Sequence, residues 1–311
     1  MDPYLAAAIQ WAPEALNPEA GSEKAAAAIA EAASRGARLI VFPENWLQGY
    51  PYWSGLQPIS PEYQAFRQLS HEASISTDDP CLEPVFEAAK KHQCTVVLGL
   101  QEKEGGTLFC TQLYISSEGK MLGRHRKLIP TQAERLVWGR GDGSDLDVYD
   151  TPTGRLGGLN CFEHQMAPAR IALSSLNIEV HAAAWPGHAF LDPVIDASTR
   201  HLAHENACFV IVAREVMSPD ALAEELPITE DGAGHWYSHG GSAIIAPGGE
   251  YITPPVFDEE CIVMGEIDLG RIAVNKWFFD GTGHYARPDV FQLRWNKSPK
   301  PAVDIYGNED S

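Results

Sequence analysis

Residues 157–170 read GGLNCFEHQMAPAR. A glycine-rich apolar run ends on Cys161, an acid and a histidine follow at once, and the segment leads towards a helix. That order of strand, turn and helix belongs to layered α/β proteins, where reactive side chains gather at strand ends held by the sheet. Taken alone, the cysteine has two readings. Free cysteines are among the most buried and inert side chains, yet a thiol with a base or a cation beside it is a nucleophile.

Outward from this point the chain alternates regularly. YLAAAIQ (4–10) reads as a strand, SEKAAAAIAEAASRG (22–36) as a helix ending at Gly36, and ARLIVFPE (37–44) as a second strand. SPEYQAFRQLSHEA opens on Ser60 as a cap with Pro61 in the first helical turn. PVFEAAKKHQ (84–93) is a helix and CTVVLGLQE (94–102) a buried strand. Two strands joined at Glu118-Gly119 follow, and LDVYDTPTGRLGGLNC repeats that pattern around Thr153-Gly154. APARIALSSLN is a helix, IEVHAAAWPG a strand, ASTRHLAHENA a helix and CFVIVARE a strand, while SAIIAPGGEYI and CIVMGEIDL read as a late hairpin pair. No linker interrupts the series, so one domain is expected over 1–296 with a tail at 297–311. Hairpins among helix-flanked strands predict a mixed system with more than one sheet inside and helices outside.

The bulk numbers exclude several classes. Against 23 Lys and Arg stand 42 Asp and Glu, a formal net charge of -19, which repels nucleic acid and anionic membranes alike. No run approaches the ~18 apolar residues of a membrane span. The start, MDPYLAAAIQWAPEAL, lacks the basic region of a secretory signal. Six scattered cysteines without a CxxC suit buried free thiols in a reducing cytoplasm rather than a disulfide framework.

Four strand ends or turns carry reactive groups. Glu44 closes LIVFPE behind a proline, Lys127 follows a short strand in GRHRKLIPT, Glu134 lies in TQAERLVWG, and Cys161 ends RLGGLNC. A thiol of ordinary pKa, about 8.5, is mostly protonated at neutral pH and needs help to react. Glu44 could take its proton, Lys127 could stabilise a thiolate or an anion forming on the substrate, and Glu134 could orient the lysine. The helix beginning near Pro168 could add its N-terminal amides. The plain alternative, a turn acid, a surface lysine and a buried thiol, satisfies the same spacing.

VFPENWLQGYP, GRHRKLIPTQAERLVWGRGDG and GGLNCFEHQMAPAR resemble, in order and spacing, the three signature segments of the nitrilase (carbon-nitrogen hydrolase) superfamily. AAAWPG and DGTGHYARPDVFQL resemble its nitrilase branch, and the likeness runs to about residue 296. The resemblance implies a four-layer αββα sandwich with Glu44 as general base, Lys127 as catalytic lysine, Cys161 as nucleophile and Glu134 as a supporting acid. Glu163 and His164 after the cysteine match members acting on nitriles or cyanide. Phe162 and QMAPAR depart from the branch's usual tryptophan and Asn-Pro-Leu pattern, which bears on substrate preference. The implied activity is hydrolysis of a small nitrile to acid and ammonia without metal or organic cofactor, by a chain forming at least a homodimer. The alternatives are a hydratase stopping at the amide, an amidase or carbamoylase, and, outside enzymes, a silent assembly module.

An apolar, partly aromatic pocket is expected around Cys161, with Phe162, Glu163 and His164 beside it. NWLQGYPYWSG sets Trp46, Tyr50, Tyr52 and Trp53 on one loop; Trp53 and Trp185 are the expected walls, the others serving packing. His201, His204 and Cys208 have a zinc-like helical spacing, but a face packed on a sheet explains them better. GRGDGSD (139–145) lacks the strand-to-helix context of a nucleotide loop. His235 and His239 are assigned to a mobile loop or a subunit contact.

Overall fold

The computed structural model describes residues 2–217 and 238–301. Two sheets lie face to face. The first runs β13-β1-β2-β3-β4-β5 and the second β10-β11-β9-β8-β7-β6, with β12 paired to β11. Strands β1 (Tyr4–Gln10), β2 (Ala37–Val41) and β3 (Thr95–Glu104) run parallel, and β4 (Thr107–Ile115) and β5 (Met121–Arg126) extend them as an antiparallel meander. In the second sheet β7 (Gly154–Asn160), β8 (Val180–Trp185) and β9 (Phe209–Arg214) are parallel; β6 (Tyr149–Thr151) and β11 (Ser238–Ile245) flank them antiparallel. β10 (Val216–Met217) and β12 (Tyr251–Phe257) pair with β11.

Side-chain alternation explains the layers. Along β1, Ala6 and Ala8 face the second sheet among Leu156, Ala182, Phe209 and Ile211, whereas Ala7 and Ile9 face the first sheet's helices. Those helices, α1 (Pro18–Ser34) and α3 (Glu83–His92), bury Ala25, Ile29, Val85 and Ala89 on Ile40, Val96 and Leu98. On the far side α4 (Ala167–Ser175) and α5 (Asp192–Asn206) bury Leu173, Ile195 and Leu202 on Leu159, Ala183, Val210 and Val212. The order is helix, sheet, sheet, helix. Strands covered on both faces read as continuous apolar runs, which is why VVLGL and FVIVA show no polar alternation.

Local signals set the helix ends. Asn17 caps α1 by accepting from Ala20 N–H, with Pro18 next, so the helix begins four residues before the expected Ser22. Ser60 caps α2 (Pro61–Glu72) through Tyr63 N–H, as the sequence indicates. The late hairpin differs from expectation. β11 and β12 form it around the Gly248-Gly249 turn, while β13 (Cys261–Ile267) crosses back and pairs antiparallel with β1 in the first sheet. Ile262 and Val263 on successive positions serve two different layers, as the alternation of a strand covered on both faces requires.

Candidate active site

Each reactive side chain stands just past a strand. β2 stops at Val41, but Phe42 N–H donates to Val97 O (2.8 Å) and Leu47 N–H to Gly99 O (2.9 Å), so the chain continues along β3. Asn45 turns there with a left-handed φ of 53° and donates from Nδ2 to Gly49 O. Gly99 is required by this passage: a Cβ would collide with the Pro43 carbonyl and lie 2.8 Å from Asn45 N. Glu44 is thereby pinned over the first sheet. Lys127 follows β5, with its N–H on Cys110 O and its own carbonyl taken by Gly141 N–H, both at 2.8 Å.

From these positions Lys127 Nζ donates to Glu44 Oε1 and to Glu134 Oε2, each at 2.7 Å. Glu134 belongs to a short 3-10 turn, Gln132–Leu136, and accepts also from Thr131 N–H (2.6 Å) and Tyr50 OH (2.5 Å). Cys110 Sγ donates to Glu44 Oε1 at 3.4 Å, and Glu44 Oε2 has no hydrogen-bond partner among the described residues.

Cys161 comes from the other sheet. It sits between β7 and a 3-10 turn with a φ of 49°, left-handed backbone that costs a non-glycine residue about 1–3 kcal/mol and points to a functional constraint. His164 Nδ1–H donates to the Cys161 carbonyl at 2.6 Å, which leaves His164 Nε2 to accept from His181 Nε2–H at 3.1 Å. Burial holds both rings neutral, His164 pushed down to about 4 and His181 well below the usual range. The Phe162 backbone amide favours the charged sulfur, and α4 starts only at Ala167.

The charges interact strongly. Burial pushes Glu44 up to about 7, and Lys127 only partly offsets it. Burial alone would lower Lys127, but Glu44, Cys161 and Glu134 hold it well above its ordinary value, so it is an ammonium. The Cys161 thiol is pushed well up, chiefly by burial and then by the two glutamates, against the pull of Lys127. Burial and the two glutamates thus favour the protonated sulfur, and Lys127 favours the thiolate.

One oxygen each from Glu44 and Glu134 and Cys161 Sγ lie within 4.8 Å of one another, a set with metal-ligand chemistry. Lys127 Nζ bonds both of these carboxylates, so the cation's place is filled by the protein itself. Above them opens a cavity of about 230 Å³ lined by Tyr50, Tyr52, Glu134, Cys161, Phe162 and His188, with Phe190 and Leu191 further out. Burial lowers His188 to about 4, so this wall is uncharged.

Of the expected pocket residues, Phe162 lines the cavity and four do not. Trp53 is packed against Tyr63 and stacked on Phe66; Trp185 is buried and stacks on His164 with centroids 4.9 Å apart. Glu163 and His164 lie buried beneath the cysteine rather than beside the cavity. Tyr50 and Tyr52 take the walls instead. Tyr50 is held at the wall by its hydroxyl, which donates to Glu134, whereas Trp185 is fixed by its stack on His164, its buried Nε1 having no partner among the described residues. The adjacency of YPYW to Glu44 was the available signal; Cys110 and His188 carried none.

The remaining motifs have structural places. His201 lies 3.6 Å from Glu205, His204 stacks on Phe279 and Cys208 is buried, so the three do not converge. Gly141 in the 139–145 loop leaves no room for a Cβ beside the Arg126 carbonyl, a packing role. His239 is in β11, not a loop, and pairs with Asp192 at 3.1 Å; His235 is outside the described residues.

The chain matches the carbon-nitrogen hydrolase family over residues 5–276. It is 37% identical over 305 residues to the aliphatic nitrilase of Rhodococcus rhodochrous, covering 94% of this chain and 83% of that one. With the bifunctional nitrilase/nitrile hydratase of Nicotiana tabacum it shares 38% identity over 281 residues, 87% of this chain and 80% of the relative. A carbon-nitrogen hydrolase from Helicobacter pylori G27 has the same fold, with a TM-score of 0.73 at 18% identity over 93% of this chain and 97% of its own. Sequence and architecture together make this chain a member of the carbon-nitrogen hydrolase family, on its nitrilase branch.

Proposed function

We propose that the chain is a nitrilase converting a small organic nitrile and two waters to a carboxylic acid and ammonia, with Cys161 as nucleophile, Glu44 as general base, and Lys127 and Glu134 in support. The carrying observation is Lys127 bridging Glu44 and Glu134, whose carboxylates lie within 4.8 Å of Cys161 Sγ, beneath a half-open cavity that Glu134 and Cys161 line. A carboxyl raised to about 7 is matched to taking and returning protons near neutrality.

The steps balance as follows. Sγ adds to the nitrile carbon while its proton passes to Glu44 and on to the nitrile nitrogen, giving a thioimidate. Glu44 then removes a proton from water as its oxygen adds, and the tetrahedral species forms beside the Lys127 ammonium. Loss of ammonia leaves a thioester, which a second water cleaves to acid and free thiol. Loss of Cys161 from the tetrahedral species gives the amide instead. About 1.4 kcal/mol between the exits changes the product ratio tenfold, and the bifunctional Nicotiana relative favours keeping amide as a second product.

The same reading has the chain self-associating in a reducing cytoplasm. Its support is the exposed apolar run of Val274, Trp277, Phe278, Tyr285 and Phe291, and six unpaired cysteines. The principal test measures ammonia, acid and amide from a nitrile and amide panel, cyanide included, for the wild type and Cys161→Ala. Acid and ammonia from nitriles, lost in a folded Cys161→Ala, are expected; turnover of amides alone would overturn the assignment, and activity surviving in the variant would remove Cys161 from it.

A further inference from the structure

Glu163 lies two residues beyond Cys161, fully enclosed, and its carboxylate has a full set of donors. Oε1 accepts Leu128 N–H at 2.7 Å, Oε2 accepts Asn160 N–H at 2.7 Å, and His125 Nε2 faces both oxygens at 3.2 and 3.0 Å. The placement of those donors is informative. Leu128 follows Lys127 where the chain leaves β5 of the first sheet; Asn160 precedes Cys161 at the end of β7 in the second. One carboxylate thus grips the backbone on both sides of the seam that the active site spans. His125 is in β5, two residues before Lys127, so it holds the carboxylate from the lysine's side.

We propose that Glu163 and His125 are positioning residues whose ion pair sets the separation and orientation of Lys127 Nζ relative to Cys161 Sγ. This rests on the reading of Lys127 and Cys161 given above. The chemistry calls for a carboxylate: two backbone N–H groups and an imidazole N–H all donate, and only an acceptor with two oxygens takes them together. Each partner favours the other's charged form against burial, with His125 raised and Glu163 lowered. The Asp145 carbonyl and carboxylate add to the field on the far side of His125. Gln112 makes a lesser tie nearby, donating across the sheets to Leu159 O at 3.0 Å. It donates also to Ala182 O at 3.3 Å, but both carbonyls belong to the second sheet, so it grips no backbone on the lysine's side.

A glutamine at 163 has nearly the same shape but turns an NH2 onto one of the two amides. Rejecting that donor pair displaces either Leu128 or Asn160. Glu163→Gln, His125→Gln and His125→Leu should be compared with the wild type in kcat, KM, near-ultraviolet circular dichroism and Cys161 alkylation rate by iodoacetamide. Expected is a loss in kcat of about 100-fold for Glu163→Gln with KM within threefold, two such factors of ten being about 2.8 kcal/mol of barrier. His125→Gln, which keeps a donor for Glu163, should recover about tenfold over His125→Leu. If folded Glu163→Gln and His125→Leu both stay within threefold of the wild-type kcat, the inference is wrong. It is equally wrong if activity falls only in proportion to unfolded protein, or if all three variants fail to fold. A wild type inactive on every nitrile would instead remove the nitrilase reading itself.

Discussion

Glu44 holds its two oxygens in unlike circumstances. Oε1 is committed to Lys127 Nζ and Cys110 Sγ, so the lone pairs left for an incoming proton are on Oε2. A base works only when deprotonated, and burial raises this one to about 7. With an uncharged nitrile, kcat/KM is therefore expected to fall about tenfold per pH unit below that value and to level above it. A profile flat from pH 5 to 8 would show that Glu44 is not the group being titrated. Glu44, Lys127, Glu134 and Cys161, which the fold brings together, were legible because each lies in a recognisable motif, Glu44 and Cys161 at the ends of apolar runs. Cys110 and His125 were not, because their contacts join segments distant in the chain and no local period encodes them. Trp53 and Trp185 were misread for a related reason. A loop's composition says that aromatics are present; which of them faces the cavity depends on what the rest of the fold offers each ring.

At the scale of elements, the passage of the 42–47 segment over β3 depends on Gly99. Adding a methyl group there forces the Pro43 carbonyl away, and overpacking of this kind costs about 1–3 kcal/mol. Gly99→Ala is expected to lower the unfolding free energy by that amount and to reduce kcat as well, because Glu44 moves with Pro43. Unfolding in urea together with steady-state rates checks both; a destabilised variant with unchanged kcat would mean that Glu44 is held from elsewhere. Strands buried on both faces and capped helices were readable from composition and end signals. The partner of β13 was not. Its apolar run fits a hairpin arm or a sheet edge equally well, and the choice is made by β1, some 250 residues earlier in the chain.

Among the described residues, two sheets and two helical layers leave a run of exposed apolar side chains on α6 (Gly270–Phe278) and the segment to Phe291. If copies of the chain cover it for one another, sedimentation will give a species of at least twice 34.0 kDa, and Trp277→Asp with Phe291→Asp will shift it towards the monomer. A wild type sedimenting at 34.0 kDa at micromolar concentration would refute that.

The pairing of β13 with β1 also orders events in time. While a ribosome is making this chain, β1 precedes the other strands of the two sheets and is the last to receive both of its neighbours, because its outer partner is not complete until residue 267. At about 5–20 residues per second, the AAAI stretch of β1 waits on the order of 10–50 s with an open, apolar edge. Such an edge is a template for the wrong strand, so newly made copies crowded on one message are most vulnerable to one another in that interval. A chaperone that shields nascent chains would act on the amino-terminal strand, far in sequence from the reaction whose seam it helps to close.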